Sequence, residues 1–286
     1  MYVIMGGTGR VGSATAERLL GRGEAVTIVT RDADRAGAWR TKGAEIAEAD
    51  VNDVGSLRAA FQRGSRAFLL NPPAQTTLDT DTIERRTVAK ILAALEGSGL
   101  KKVVAESTGG AQPGDRIGDL NVLWELEEGL RRQSIPAAIN RAAYYMSNWD
   151  GLLDAVRSTG KLPTMYAADL AIPMAAPRDL GMVAADRLLS SVDDVGIRYV
   201  EGPRRYSSAD VAEAFAKALG RPIEVKVTPR DQWTETFLSL DFSEAAAASY
   251  ARMIAASVDG GFDMPDDPVR GVTTLEAYIR DLVARS

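Results

Sequence analysis

Along the first half of the chain, short apolar runs alternate with longer stretches whose apolar residues recur at helical spacing. The runs at residues 2–5, 25–30, 44–48, 66–70, 102–105 and 136–141 read as strands, short and apolar in the manner of strands covered on both faces. Between them, residues 11–20, 54–63, 80–97 and 120–132 read as helices. In the third of these, Val88, Ile91, Leu92 and Leu95 fall at i, i+3, i+4 and i+7, the spacing of one helix face. Strand–helix alternation with short connections builds right-handed crossovers onto a parallel sheet. The expected fold is therefore α/β, a doubly wound parallel sheet with a smaller mixed α/β C-terminal lobe.

Beyond about residue 140 the pattern loosens. Tyr144, Tyr145, Met146 and Trp149 form an aromatic cluster, and a helix is expected to follow it as far as Ser158. Pro163, Pro173 and Pro177 mark turns. A helix at 178–189 is expected to pack back on the main sheet. Another at 207–219 has Ser207 as its N-cap and Gly220 just past its end. Residues 223–227 read as a strand and the remainder as mostly helical.

Composition narrows the chemistry. The 286 residues contain no Cys and no His, so disulfides, thiolate nucleophiles, imidazole bases and Cys- or His-ligated metals are excluded. No carboxylate cluster recommends a metal. A formal net charge of -5 argues against nucleic acid as a partner. No stretch approaches the roughly 20 apolar residues that cross a bilayer, and the N-terminus lacks the pattern of a signal peptide. A cytoplasmic protein is expected.

The string Met5-Gly6-Gly7-Thr8-Gly9-Arg10-Val11-Gly12 carries the strongest signal. It holds both Gly7-x-Gly9-x-x-Gly12 and Gly6-x-x-Gly9-x-x-Gly12, follows a strand and opens an amphipathic helix. That context is the one in which such a loop cradles a pyrophosphate in a Rossmann fold. The backbone around Gly6, Thr8, Gly9, Arg10, Val11 and Gly12 would face the phosphates, aided by the positive end of the helix dipole. Arg10 is either a second phosphate contact or a solvated charge. At the end of the second strand, Arg31 sits where a guanidinium can pair with a 2′-phosphate, while Asp32 one residue on could instead serve ribose hydroxyls. NADP(H) is the expected cofactor, with NAD(H) the lesser alternative.

Ligands of such sheets bind outside the carboxyl ends of the strands. Asp50 and Val51 after the third strand could bracket an adenine, or Asp50 could simply cap a helix. Asn71, Pro72 and Pro73 after the fourth could line the dinucleotide cleft. Ser107, after the fifth, is expected near the nicotinamide. Residues 1–150 are accordingly read as the NADP(H)-binding domain, and 151–286 as a smaller substrate-side lobe interleaved with it.

These segments, together with Lys101-Lys102-Val103-Val104, Asn140-Arg141 before Tyr144-Tyr145-Met146-Ser147-Asn148, and Leu219-Gly220-Arg221-Pro222, resemble the NmrA-like group of atypical short-chain dehydrogenases/reductases over almost the whole chain. The resemblance implies either an NAD(P)H-dependent reductase of quinones or triphenylmethane dyes, or a redox-sensing regulator that binds dinucleotide without turnover. It also implies that Arg31 contacts the 2′-phosphate and that Tyr144 and Tyr145 lie beside nicotinamide and acceptor.

The chain departs from the wider superfamily in lacking Tyr-x-x-x-Lys: four residues after Tyr144 and Tyr145 stand Asn148 and Trp149. Leu123 occupies the place where many NmrA-like members carry a Lys. Reduction of an isolated carbonyl needs a nearby acid. A conjugated acceptor delocalises the incoming charge and can take its proton from water. The expected activity is thus hydride transfer from NADPH to a small, flat, conjugated acceptor stacked against Tyr144, Tyr145 and Met146, with Ser107 near an acceptor oxygen. The alternative is a non-catalytic NADP(H) sensor. A homodimer or a protein partner is compatible with either.

Overall fold

The computed structural model describes residues 1–260 and 262–286. From the N-terminus the elements run β1 (Tyr2–Ile4), α1 (Arg10–Gly21), β2 (Val26–Thr30), α2 (Gly37–Thr41), β3 (Glu45–Glu48), α3 (Val54–Phe61), β4 (Arg66–Leu69), α4 (Thr80–Leu95), β5 (Lys102–Thr108), α5 (Asp119–Arg131) and β6 (Ala137–Ala142). This is the alternation that the apolar pattern predicts. The second half continues with β7 (Tyr144–Tyr145), a 3-10 segment (Met146–Leu152), α6 (Leu153–Thr159), β8 (Lys161–Thr164), β9 (Ile172–Ala175), α7 (Pro177–Leu189), β10 (Gly196–Glu201), β11 (Arg205–Tyr206), α8 (Ser208–Leu219), β12 (Glu224–Val227), α9 (Trp233–Ser239), α10 (Glu244–Gly260), β13 (Val269–Arg270) and α11 (Leu275–Arg285).

The main sheet has eight strands in the order β3-β2-β1-β4-β5-β6-β10-β13, every pair parallel. The chain turns from one side of β1 to the other between β3 and β4, so a crevice opens beyond the carboxyl ends of β1 and β4. The fold is a doubly wound Rossmann sheet with two smaller sheets, β11-β9-β7 and β12-β8, in the lobe beside it.

Side chains alternate across β5 as the pleat requires. Val103 and Ala105 enter the apolar layer under α3, α4 and α5, with Phe61, Ile91 and Leu126. Val104 enters the opposite layer under α1 and α7, with Leu19, Leu180 and Leu188. The lobe has its own core, where Trp149, Leu153 and Phe215 meet Leu275 and Ile279 of α11. In α8, Ser207 and Asp210 form a capping box and Gly220 closes the helix, as their types predict.

Several features differ from the sequence reading. Pro163 and Pro173, read as turns, lie inside the short strands β8 and β9, and Pro177 opens α7. The fifth strand runs to Thr108, three residues past its expected end, so Ser107 lies inside it, opposite Arg141. The segment Gly196–Glu201 carries no continuous apolar run, yet it forms β10 and extends the main sheet next to β6. Its half-exposed pattern gives a weak signal; the edge of β6 supplies the hydrogen bonds that order it. Among the described residues no helix is long and apolar enough to cross a membrane, and no group of three or more Asp or Glu is placed to hold a metal.

Candidate functional site

The turn between β1 and α1 is held closed by the Gly9 N–H donating to the Gly6 carbonyl at 2.8 Å. Gly6 adopts a φ of +61, which an L side chain resists. Gly12 brings the helix against the turn: a Cβ there would stand 2.3 Å from the Gly6 oxygen. With Arg10 as the first helical residue, the amides of Arg10, Val11 and Gly12 belong to the first turn, which has no intrahelical carbonyl to bond, and the positive end of the α1 dipole lies where Gly9, Arg10 and Val11 line the crevice. Such a cradle fits a phosphate group. Thr8 sits on the exposed tip of the turn.

Arg10 is neither a bare surface charge nor turned to the crevice alone. Its guanidinium forms an ion pair with Asp150 and donates to the Tyr278 hydroxyl at 3.3 Å, and that hydroxyl donates to Asp150 at 2.9 Å. The glycine turn is thereby tied to α11 of the lobe.

At the end of β2, Arg31 is exposed and has no hydrogen bond or ion pair among the described residues. The Asp32 carboxylate accepts from the Asp34 N–H at 3.0 Å, a local turn. Asp50 likewise accepts from the Asn52 N–H at 2.8 Å, and the residue that caps α3 is Asp53, not Asp50. Val51 packs against the core layer under α3. Arg31, Asp50 and Val51 all stand apart from the large cavity described next.

That cavity, of about 800 Å³, begins at Gly9, Arg10 and Val11 and runs past Asn71 and Pro73 to the lobe. Pro72, between them, does not line it. The Asn71 amide donates to the Glu84 carbonyl at 3.4 Å, while its Oδ1 is buried with no partner. Ser107 lines the middle, but its hydroxyl donates to Glu127 at 2.7 Å, leaving it lone pairs to offer and no proton. Tyr144 and Tyr145 line the wall, as does Leu123. Met146 does not: it is fully buried in the lobe core beneath them. The Tyr144 ring lies 5.7 Å from Trp149 and 5.8 Å from Tyr166, and Tyr166 lies 5.8 Å from Phe262, a row of rings along one side.

The tyrosines are held neutral. Burial pushes the Tyr144 phenol up to about 12, against a smaller opposing hydrogen bond to Asn148. Burial first, then the neighbouring Glu106 and Asp119, raise Tyr145 well above its ordinary value. No lysine is among the residues lining the cavity to lower either.

Several lining residues escaped the sequence reading. Glu106, on β5, is 2% exposed, and burial pushes its carboxyl up to about 8. Asp119 opens α5 and faces the cavity, and burial raises it too. Tyr166, Phe237 and Tyr250 come from three separated segments of the lobe. Alternation along β5 hinted at an inward Glu106; nothing local pointed to the others.

The model of the NmrA-like family matches residues 2–279. The chain belongs to the NmrA-like family. The chain is 24% identical over 286 aligned residues to an NAD(P)H azoreductase of Xenophilus azovorans, covering 100% of this chain and 95% of that protein. It is 26% identical over 282 aligned residues to the nitrogen metabolite regulation-like protein bik4 of Gibberella fujikuroi (strain CBS 195.34 / IMI 58289 / NRRL A-6831), covering 87% of this chain and 83% of that one. The structure of Citrobacter sp. triphenylmethane reductase complexed with NADP(H) matches with a TM-score of 0.81 at 18% identity, over 98% of this chain and 99% of that one. The NmrA-like architecture thus extends through the lobe as well as the sheet.

Proposed function

We propose that this NmrA-like protein is an NADP(H)-dependent reductase of conjugated acceptors. The observation that carries the reading is continuity: one cavity joins the glycine turn to the row of aromatic rings, so donor and acceptor can share it. The azoreductase and dye-reductase relatives support the same class of reaction.

The cradle at Gly12, the unpartnered Asn71 Oδ1 and the unengaged Arg31 fit the dinucleotide. The amides of Arg10, Val11 and Gly12 would hold the pyrophosphate. Arg31 would select the 2′-phosphate through its planar fork, and Asp50 and Val51 would flank the adenine. Asn71 and Pro73 would line the groove between. When bound, the cofactor supplies the hydride. Tyr144, Tyr145 and the rings beyond them would hold the acceptor flat and exclude water, the main task left to the protein once the cofactor carries the electronic chemistry. With neutral phenols and no lysine beside them, the site is suited to acceptors that spread the incoming charge, such as quinones, azo compounds and dyes. In this reading residues 1–150 hold the dinucleotide, and 151–286 form the substrate-side lobe that lends β10 and β13 to the main sheet.

The similarity to a regulation-like protein supports one rival, a cofactor sensor with the same turn and Arg31. Stopped-flow oxidation of NADPH against a panel of quinones, azo compounds and cationic dyes separates the two. Turnover with at least one acceptor is expected. Tight NADPH binding with no oxidation by any of them would sink the reductase and favour the sensor.

A further inference from the structure

One carboxyl in the cavity wall has a defined place for its proton. Glu106 stands on β5 opposite Asn140 of β6, lines the cavity and is almost wholly shut off from solvent. Arg187 of α7, a donor only, gives a hydrogen bond to the Asn140 Oδ1 at 3.1 Å. The amide nitrogen of Asn140 is therefore the atom turned to Glu106, and it donates to Oε2 at 3.5 Å. With Oε2 accepting, a proton on Glu106 belongs on Oε1, which is buried and has no hydrogen-bond partner in the protein.

No ion pair among the described residues involves Glu106. Arg187, behind Asn140, is itself paired with Asp194 at 3.2 Å, and the ionisable neighbour on β7, Tyr145, is held neutral. Burial away from any cation favours the protonated carboxyl, whose folded value of about 8 keeps it loaded at neutral pH. An acid poised near the working pH suits proton transfer. A quinone or azo bond that has accepted a hydride keeps a negative charge on oxygen or nitrogen and needs one proton. A cationic triphenylmethane dye is neutralised by the hydride alone and needs none.

We propose that Glu106 is the proton donor of the reaction, giving the Oε1 proton to the oxygen or nitrogen of a hydride-reduced quinone or azo acceptor in the cavity. The bond from Oε1 to hydrogen breaks and its electron pair stays on the carboxylate. An O–H or N–H bond forms on the acceptor, and water returns a proton to Glu106 once the product has left. The transfer rests on the reductase reading; the stored proton does not.

Two measurements test it. Infrared difference spectra of the full chain without cofactor, unmutated minus Glu106→Gln, are expected to show a carboxylic acid C=O band at neutral pH, lost with a midpoint near 8. Steady-state NADPH oxidation then compares quinones and azo compounds with a cationic triphenylmethane dye. In Glu106→Gln the ratio of kcat/KM for the proton-requiring acceptors to that for the dye is expected to fall roughly 100-fold or more, the scale of a positioned general acid. Glu106→Asp, which keeps an acid, should recover part of that ratio, and it takes the place of Glu106→Gln if the latter fails to fold. Quinone turnover by the unmutated protein should decline above about pH 8, and that limb should vanish in Glu106→Gln; where the dye is not reduced, this profile decides. Absence of the band, equal losses for both kinds of acceptor, a limb retained in Glu106→Gln, or reduction of the dye but of no quinone or azo compound overturns the proposal. Oxidation of NADPH by no acceptor, with the band present, removes the reductase reading and the transfer with it, and leaves the stored proton standing.

Discussion

Arg141 and Glu127 meet at two points, Nε to Oε1 and Nη2 to Oε2, both 2.9 Å. The Glu127 side chain is 1% exposed and takes further hydrogen bonds from Ser107 at 2.7 Å and Arg131 at 3.2 Å. One carboxylate therefore ties β5, β6 and α5 together at the cavity, and it explains why Ser107 has no proton to spare.

Removing the guanidinium leaves that carboxylate buried with only the half-exposed Arg131, at 3.2 Å, to offset it. Arg141→Met is expected to lose about 3–5 kcal/mol of stability, whereas Arg141→Met with Glu127→Leu should recover most of the loss. Urea denaturation midpoints of the two proteins measure this. Equal midpoints for the single and double variants would mean that the pair is not coupled.

Arg31 stands exposed at the strand end with no hydrogen-bond or ion-pair partner among the described residues. Arg31→Ala is therefore expected to leave stability unchanged and to weaken NADPH by roughly 10- to 100-fold, the scale of hydrogen bonds to a charged group. NADH should be barely affected. Parallel fluorescence titrations check the difference, and equal losses for the two cofactors reject the assignment.

At Gly12 a single methyl group is too many. Its carbon would sit 2.3 Å from the Gly6 oxygen, which is backbone and cannot swing aside. Gly12→Ala is expected to cost about 1–3 kcal/mol in the unliganded protein and, by spreading the cradle, to abolish most of the thermal stabilisation that NADPH confers. Melting curves with and without NADPH test both parts; an undiminished shift would show that the cradle is not the phosphate site.

Glu106 gives the protein a pH signature. Its folded value, about 8, lies above its ordinary 4.5. Below 4.5 the group is protonated in both states, and its contribution to stability is fully present. As pH rises through that value the unfolded chain ionises first, so stability falls until about pH 8 and then levels off. Relative to Glu106→Gln, the unmutated protein should lose on the order of 4 kcal/mol between about pH 5 and pH 8. Parallel stability–pH curves for the two proteins would contradict this.

Much of the sheet could be read locally. Six strands and the helices between them announce themselves because each must present an apolar run or face to a neighbour, whichever neighbour that turns out to be. The glycine turn is legible for the same reason: Gly6 and Gly12 are required by backbone geometry within eight consecutive residues, from Met5 to Gly12. The exposed position of Arg31 just past a strand end is legible in the same way. By contrast, Met146 looked like a wall residue and is core, because whether a side chain near a cavity faces it or backs it depends on a rotation that the sequence does not specify.

What the amino-acid order determined alone, then, is a doubly wound sheet with its glycine turn, since those are periodicity and short-range sterics. Only the tertiary structure decided which charges were paired. Arg10 found Asp150 and Tyr278, Arg141 found Glu127, and Asp119 found no partner among the described residues. Ion pairing depends on separations of a few ångströms between residues apart in the chain, and those distances exist only once the helices and the lobe have packed against the sheet.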